Sequence, residues 1–338
     1  MVTIQEVAKE AGVSVGSVSR YLNGHTLREN NVKKIKEAIE KLNYKENFFA
    51  KGLKSSQSRS VGLLLDNMQS NFSATLVAHI YDILEQHGYT IQLVSYRNDP
   101  SKIVEKIDYL QSRFVDGIVM VGIEQSWEEI ESIRILSIPV ISVLTILDLP
   151  KVDSVIVNDR ISTNTVINKM LDLNYEKIGI ITAPQNDYVA RERLLGVFDA
   201  FEEHAKSLPE DLIFYGDYSK ESGTTGMQYL LEKEVTAVFV CNYNMSLGAL
   251  KVLNNQNVEI GKNIFYASYD YFDTIEIFAP DLTVVKQKVE EIGIVVANRI
   301  LERIRNNNVL TKKKIIIEND IVWSSSIGKT TENHEVIE

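Results

Sequence analysis

The sequence predicts an all-α helix-turn-helix headpiece followed by an α/β core of two parallel-sheet lobes. Three observations carry this expectation. Thr3 to Gly24 reads TIQEVAKEAGVSVGSVSRYLNG, two short helical patterns joined at a glycine. From Ser60 onward, apolar runs of strand length alternate with helical stripes in two successive sets, and such alternation builds parallel sheets covered on both faces. Charge divides near the same point. Residues 1–60 carry 11 Lys+Arg against 6 Asp+Glu, a net of +5, and the remainder holds 25 basic and 40 acidic residues, a net of −15. A small basic head on an acidic body fits a nucleic-acid-reading module joined to a body that does not touch nucleic acid.

In the head, Thr3 and Glu6 stand in capping-box spacing: the Thr hydroxyl takes a free helical amide and the Glu reaches back to the Thr amide. Ile4, Val7, Ala8 and Ala11 recur at helical spacing. Gly12 ends the helix where the backbone must turn, without a Cβ penalty. Ser14 caps a second helix running from Val15 to Leu22. Val18 and Leu22 face the core, which leaves Val15, Gly16, Ser17, Ser19 and Arg20 on an outer face that can enter a major groove. Arg20 suits guanine or phosphate, and Gly16 lets the backbone approach DNA. Val32, Ile35, Ile39 and Leu42 form the stripe of a third helix, with Lys33, Lys34, Lys36 and Lys41 off it. An ordinary helical hairpin would satisfy the same spacing, so spacing alone leaves that reading open.

In the body, the first set of strands is expected at Val61–Leu65, Thr90–Ser95, Gly117–Val121, Val140–Leu144 and Val155–Val157. Helices lie between them at Phe72–His87, Ile103–Phe114 and Trp127–Leu136. After a helix near Thr163–Leu173, a second set runs Ile178–Thr182, Leu212–Tyr215, Ala237–Cys241, Ile264–Ser268 and Thr283–Val285. Two such lobes imply a cleft, and ligands of open parallel sheets bind at the carboxyl ends of strands. Polar residues stand there: Asp66, Asn67, Ser70 and Asn71 with Phe72 after the first strand, and Asn158 with Asp159 after the fifth. Thr145, Tyr218, Asn242, Tyr269 and Asp270 follow later strands, and Arg191 opens a helix. Amides, carboxylates and an Arg can bracket vicinal hydroxyls, with the Phe72 or Tyr218 ring against a sugar face. Any one of these positions is equally a turn former.

The head closely resembles the N-terminal signature of the lactose-repressor/galactose-repressor family of bacterial transcription regulators. Thr3, Ile4, Val7, Ala8, Ala11-Gly12-Val13-Ser14, Val18-Ser19-Arg20, Leu22, Asn23 and Leu42-Asn43-Tyr44 carry the resemblance. Two residues depart from it: Arg28 stands where the family usually has a Ser cap, and Glu46 where it has a Pro. The resemblance implies a headpiece over residues 1–46, a hinge helix over 47–59 and a core over 60–338 that is similar to periplasmic sugar-binding proteins. Asn23, Asn47 and Ala50 would then lie against DNA, and Leu53 would wedge the central base step. The chain would cross between lobes three times, giving a first lobe of about 60–159 and 288–317 and a second of about 162–285 and 320–330. Arg191, Asn242 and Asp270 fall at the family's inducer-binding Arg, Asn and Asp. Tyr218 falls where sugar-responsive members carry an aromatic, and Trp323 where the family often has Arg.

The implied protein is a homodimeric repressor on a palindromic operator, its affinity set by a sugar or sugar phosphate in the cleft. A purine or another metabolite, or a protein co-repressor, would serve the same architecture. No enzyme is expected. The five His residues are scattered, Cys241 has no Cys partner, and no Gly-x4-Gly-Lys-Ser/Thr loop occurs, so neither metal nor cofactor is expected. With no apolar run behind positive charge at the N-terminus and no stretch near the ~20 apolar residues of a span, a cytoplasmic chain with no membrane contact is expected. A solute-binding protein is the rival that the basic head opposes.

Overall fold

The computed structural model describes residues 2–22, 24–44, 57–271, 281–306 and 311–327. The chain divides into two compact units, Met1–Ser58 and Arg59–Glu338.

The first unit is three helices around one small core. Helix α1 is Ile4–Ala11, and its capping box forms as the spacing predicts: Glu6 N–H donates to Thr3 Oγ1, and Thr3 N–H donates to Glu6 Oε2 at 2.7 Å. Gly12 ends it in the left-handed region at φ 63°, which glycine enters without a Cβ clash. Helix α2 is Val15–Leu22, and Ser14 Oγ accepts from Ser17 N–H at 3.1 Å. Helix α3 is Glu29–Lys41. Arg28 provides it with no side-chain cap, so the departure from a Ser at that position shows as an uncapped amide end. Val7, Ala8, Ala11, Val18, Ile35 and Ala38 are buried together, with Leu22, Ile39 and Leu42 packed around them.

The second unit holds two six-stranded sheets. In the first, β1 (Ser60–Leu65), β2 (Thr90–Ser95), β3 (Gly117–Val121), β4 (Val140–Val143) and β5 (Val152–Val157) line up as β5-β4-β3-β1-β2. Helices α4 (Asn71–Gln86) and α5 (Ile103–Ser112) follow β1 and β2. The chain then enters α6 (Asp159–Asp172) and a second sheet. That sheet contains β6 (Ile178–Thr182), β7 (Ile213–Tyr215), β8 (Ala237–Val240), β9 (Phe265–Tyr269) and β10 (Thr283–Lys286) in the order β10-β9-β8-β6-β7. Helices α7 (Tyr188–Glu203), α8 (Lys220–Glu232) and α9 (Tyr243–Asn255) connect its strands. After β10 the chain returns: α10 (Val289–Arg305) packs on α4, and β11 (Lys314–Ile317) pairs with β5. A last strand, β12 (Asp320–Val322), runs antiparallel to β10, an exception to the otherwise parallel pairing. Each lobe has apolar clusters on both faces of its sheet, as buried parallel strands require.

Several details differ from the expected elements, among them the start of α6, which is at Asp159 and not near Thr163. Residues Trp127–Leu136 form a 3-10 turn, Glu128–Ile130, and a single α-turn, Glu131–Arg134, because Ile130, Ile133 and Leu136 recur at intervals of three. β9 starts one residue later than expected, at Phe265, and β12 was not anticipated in its three short residues. β5 begins at Val152, since Asp153 and Ser154, polar in the sequence, are completely buried. Asp153 is the acceptor for Arg299 Nε at 2.6 Å and for the Lys313 amide at 2.8 Å, so one carboxylate ties α10 and the approach to β11 onto the sheet. Arg299 is itself only 3% exposed. Breaking a buried pair leaves an uncompensated charge, so Asp153→Ala is expected to cost about 3–5 kcal/mol, read as a lower urea midpoint. Among the described residues, no helix is long and apolar enough to cross a membrane.

Candidate functional site

On the head, α2 offers Val15, Gly16 and Arg20 to solvent, while Val18 is fully buried. A Cβ on Gly16 would meet only Ser14 Oγ at 3.7 Å, so the backbone there is open to close approach. Ser17 and Ser19 are half-buried, and Ser17 Oγ is shared with Ser14 Oγ at 2.9 Å. Their reach outward is shorter than the sequence pattern suggests. Thr3 is exposed, with its hydroxyl held on Glu6. Asn23, Asn47, Ala50 and Leu53 lie outside the described residues.

In the core unit, the carboxyl ends of the two sheets supply a cluster of buried charge. Arg193 on α7 is 3% exposed. Its Nε donates to Asp159 Oδ1 at 3.0 Å, its Nη1 donates to the Cys241 carbonyl at 2.5 Å, and Asp270 Oδ1 stands 4.0 Å from Nη2. The guanidinium also lies 3.7 Å from the Tyr269 ring centroid, a cation–π contact strengthened by desolvation. Gly196 makes this possible: a Cβ there would stand 2.3 Å from the Arg160 carbonyl, so glycine lets α7 press against α6. Gln287, at the end of β10, donates from Nε2 to Asp270 Oδ1.

A second ion pair joins the lobes. Glu124, in the loop after β3, is 2% exposed. It accepts from the Tyr188 amide at 2.7 Å and from Arg191 Nη2 at 3.0 Å, both from the start of α7. Burial raises its carboxyl above the usual range, opposed by those two donors. Beside it, Asp187 accepts from the Ala190 amide and from the Tyr218 hydroxyl at 2.7 Å. Asp66, after β1, has Oδ1 buried without a hydrogen-bond partner. Its carboxyl is pushed up to about 6, first by burial and in lesser part by Asp187, against the Asn67 amide.

That shift has a sign. Between the ordinary 3.8 and about 6, the folded chain holds a proton that the unfolded chain has lost, so stability falls as pH rises through this window. Asp66→Asn is therefore expected to raise stability at neutral pH by up to about 3 kcal/mol. In thermal melts the gain should shrink as pH falls through the window and vanish below it.

The other candidates divide into cleft and scaffold. Asn242 is half-buried and caps α9 through Asn244 and Met245 amides. Asn158 accepts from Ser162 Oγ and the Asn319 amide, a crossing-strand brace. Ser70 caps α4 and donates to Ser73 Oγ. Phe72 packs against the first lobe's core. Thr145 is 1% exposed, with its carbonyl taken by Ser142 Oγ. Tyr269 is fully buried, its hydroxyl on the Asp159 carbonyl at 3.1 Å. Thr145 and Tyr269 thus support the cleft from beneath, because the strand ends turn them into the packed layer.

The head and body carry separate family signatures. Residues 3–47 match the model of bacterial regulatory proteins of the lacI family, and residues 58–323 match that of periplasmic binding proteins and the sugar-binding domain of the LacI family. The chain belongs to the LacI family. Among its relatives is the HTH-type transcriptional repressor PurR of Actinobacillus pleuropneumoniae serotype 3, 28% identical over 314 residues, with 90% of this chain and 92% of the relative covered. Among solved structures, the lac repressor dimer bound to operator and the anti-inducer ONPF superposes with a TM-score of 0.86 at 23% identity, covering 97% of this chain and 99% of the other. A CelR–cellobiose complex gives a TM-score of 0.72 at 23% identity, covering 96% and 100%. This LacI-family chain is a DNA-binding transcription regulator and not an enzyme.

Sequence reasoning settled on Arg191 and Asp66 and passed over Arg193, Glu124, Gln287 and Asp187. In this LacI-family chain Arg191 is 39% exposed and serves the interlobe pair, and Arg193 is the cation buried at the strand ends. A signal for Arg193 was present: it stands in the buried stripe Ala190, Leu194, Val197 and Phe201, where only a paired guanidinium is tolerated.

Proposed function

We propose that the chain is a homodimeric transcriptional repressor that binds a palindromic operator and changes its operator affinity when a small hydroxylated ligand, a sugar or sugar phosphate, enters the interlobe cleft. The observation that carries this reading is the pairing of a helix-turn-helix head with a two-lobed body across residues 3–47 and 58–323. Two-fold protein symmetry calls for two-fold DNA symmetry, each head reading one half-site. Arg20 supplies the base or phosphate contact, Val15 and Gly16 supply close apolar approach, Ser14, Ser17, Ser19, Thr3, Asn23, Asn47 and Ala50 hold the duplex, and Leu53 wedges its centre. Val15 and Gly16 offer no side-chain hydrogen bond, so part of the specificity comes from DNA shape. The protein works in the cytoplasm, on the nucleoid.

Arg193, Asp159, Asp270, Gln287 and Asn242 are the ligand-contacting set, with Tyr218 along one wall. A ligand acts only through its different affinity for the two lobe arrangements. The Glu124–Arg191 pair spans the lobes and so belongs to one arrangement of them. A second reading, a purine-responsive repressor, draws support from the similarity to PurR. Selection of bound sequences from a random DNA pool tests the head: an inverted repeat recovered by the full-length protein supports the reading, and recovery of no common sequence would overturn it. Calorimetric titration with sugars, sugar phosphates and purine bases separates the two ligand classes.

A further inference from the structure

One carboxylate of the first lobe finds its donors in the second. Glu124 is 2% exposed, and its two oxygens are divided between the Tyr188 amide at 2.7 Å and Arg191 Nη2 at 3.0 Å. Both donors suit a negative charge. The Tyr188 amide belongs to the first turn of α7, where free N–H groups and the helix dipole favour an anion. The guanidinium is aimed from within its own lobe, its Nη1 donating to the Gln185 carbonyl at 3.2 Å.

The arm that carries Glu124 is stiff. Gly122 turns the chain out of β3 at φ 70°, a left-handed conformation that glycine adopts without strain. Its amide donates to the Val143 carbonyl at 3.2 Å, and its carbonyl accepts from the Tyr96 hydroxyl at 2.9 Å. The Tyr96 ring is buried and meets Trp127 edge-on, with centroids 5.9 Å apart. Ile123 is fully buried, and the Trp127 amide closes back on the Glu124 carbonyl at 3.3 Å. The acceptor is therefore set in place within the first lobe, and little loop freedom is lost when it meets α7.

The lobes are also tied where the chain crosses between them. Asn158 Oδ1 accepts from the Asn319 amide at 2.8 Å, and Lys288 Nζ pairs with Asp320 at 3.0 Å. Glu124 adds a contact outside those crossings, and separating the lobes would break both of its bonds. Bonds of this kind, to an ionised acceptor, are the stronger ones.

We propose that Glu124 is an interlobe latch, which holds the two lobes in this arrangement through protein groups alone. The latch goes beyond the proposed function and holds whatever ligand the cleft takes. An effector would then act on lobes that are already joined.

Distances between two spin labels on the full-length protein test this, in a sample without DNA or effector. One label goes on each lobe, at Ile135→Cys and Lys262→Cys. Both positions are exposed, and the native Cys241 is buried and stays unlabelled. Labelled chains are diluted with unlabelled ones, so that only distances within one chain are read. With Glu124 intact, one distance should hold about 90% or more of the chains. Glu124→Ala should bring up a second distance, with the ratio of separated to joined lobes about tenfold or more above that background. Arg191→Ala removes one donor from the other lobe and leaves the Tyr188 amide, so it should populate the same second distance to a smaller extent. A single unchanged distance in both variants overturns the proposal. So does a chain with Glu124 intact that already divides about equally between two distances. Because neither DNA nor effector is present, failure of the latch leaves the proposed function to its own tests.

Discussion

Arg193→Ala is expected to lower the stability of the core unit by about 3–5 kcal/mol, the usual result of leaving a buried carboxylate without its counter-charge. Asp159 is 3% exposed and Asp270 7% exposed, so neither can turn to water when the guanidinium is lost. The Cys241 carbonyl loses its donor and the Tyr269 ring its cation. The same variant should bind no cleft ligand, and its operator affinity should be deaf to ligand. Arg191→Ala is the contrast. Arg191 is itself partly exposed, but Glu124 stays buried with only the Tyr188 amide as donor, so the loss is expected at about 1–3 kcal/mol, with the ligand response shifted through the interlobe pair. Chemical denaturation and ligand titration of the two variants side by side distinguish them. Equal losses would contradict the placing of Arg193 above Arg191, and a larger loss in Arg191→Ala would make Arg191 the pivotal cation.

Arg20→Ala is expected to leave thermal stability unchanged, because Arg20 is exposed and lies off the buried core of the head. Its effect belongs to DNA. A guanine contact is worth about 1–3 kcal/mol per half-site, so the loss on a symmetric site should be of the order of 10–10⁴-fold, with discrimination relaxed at one position of each half-site. If Arg20 instead holds a phosphate, binding should weaken about uniformly across sequences and the salt slope should fall by about one for each head. Operator affinity measured against several point-changed sites and salt concentrations separates the two roles. Unchanged affinity in every case would remove Arg20 from the reading face.

Much of the fold was legible because its signals are local. The Thr3–Glu6 box, the Gly12 turn and the Ser14 cap are each fixed by residues within one helical turn, and all three form. Buried strands such as Ile178–Thr182 are continuous apolar runs. The misses come where a distant partner reverses local polarity. Asp153 reads as a loop residue until Arg299, 146 positions away, neutralises it inside the sheet. Arg193 reads as surface beside its neighbour Arg191 until Asp159 and Asp270 are folded against it. Tyr269 follows a strand in the predicted register, and β9 runs one residue further than expected and takes it into the packed layer. Glu124 carried no local signal, because its function depends on a contact across lobes.

The most direct test of the central claim is fluorescence anisotropy of the full-length protein on the DNA upstream of its own gene, with salt and cleft ligands titrated in turn. Tight, salt-sensitive and sequence-preferring binding that one cleft ligand strengthens or releases is the predicted result. Binding without sequence preference, even at low salt, would contradict the account of the head. Specific binding that no small molecule alters would contradict the account of the cleft.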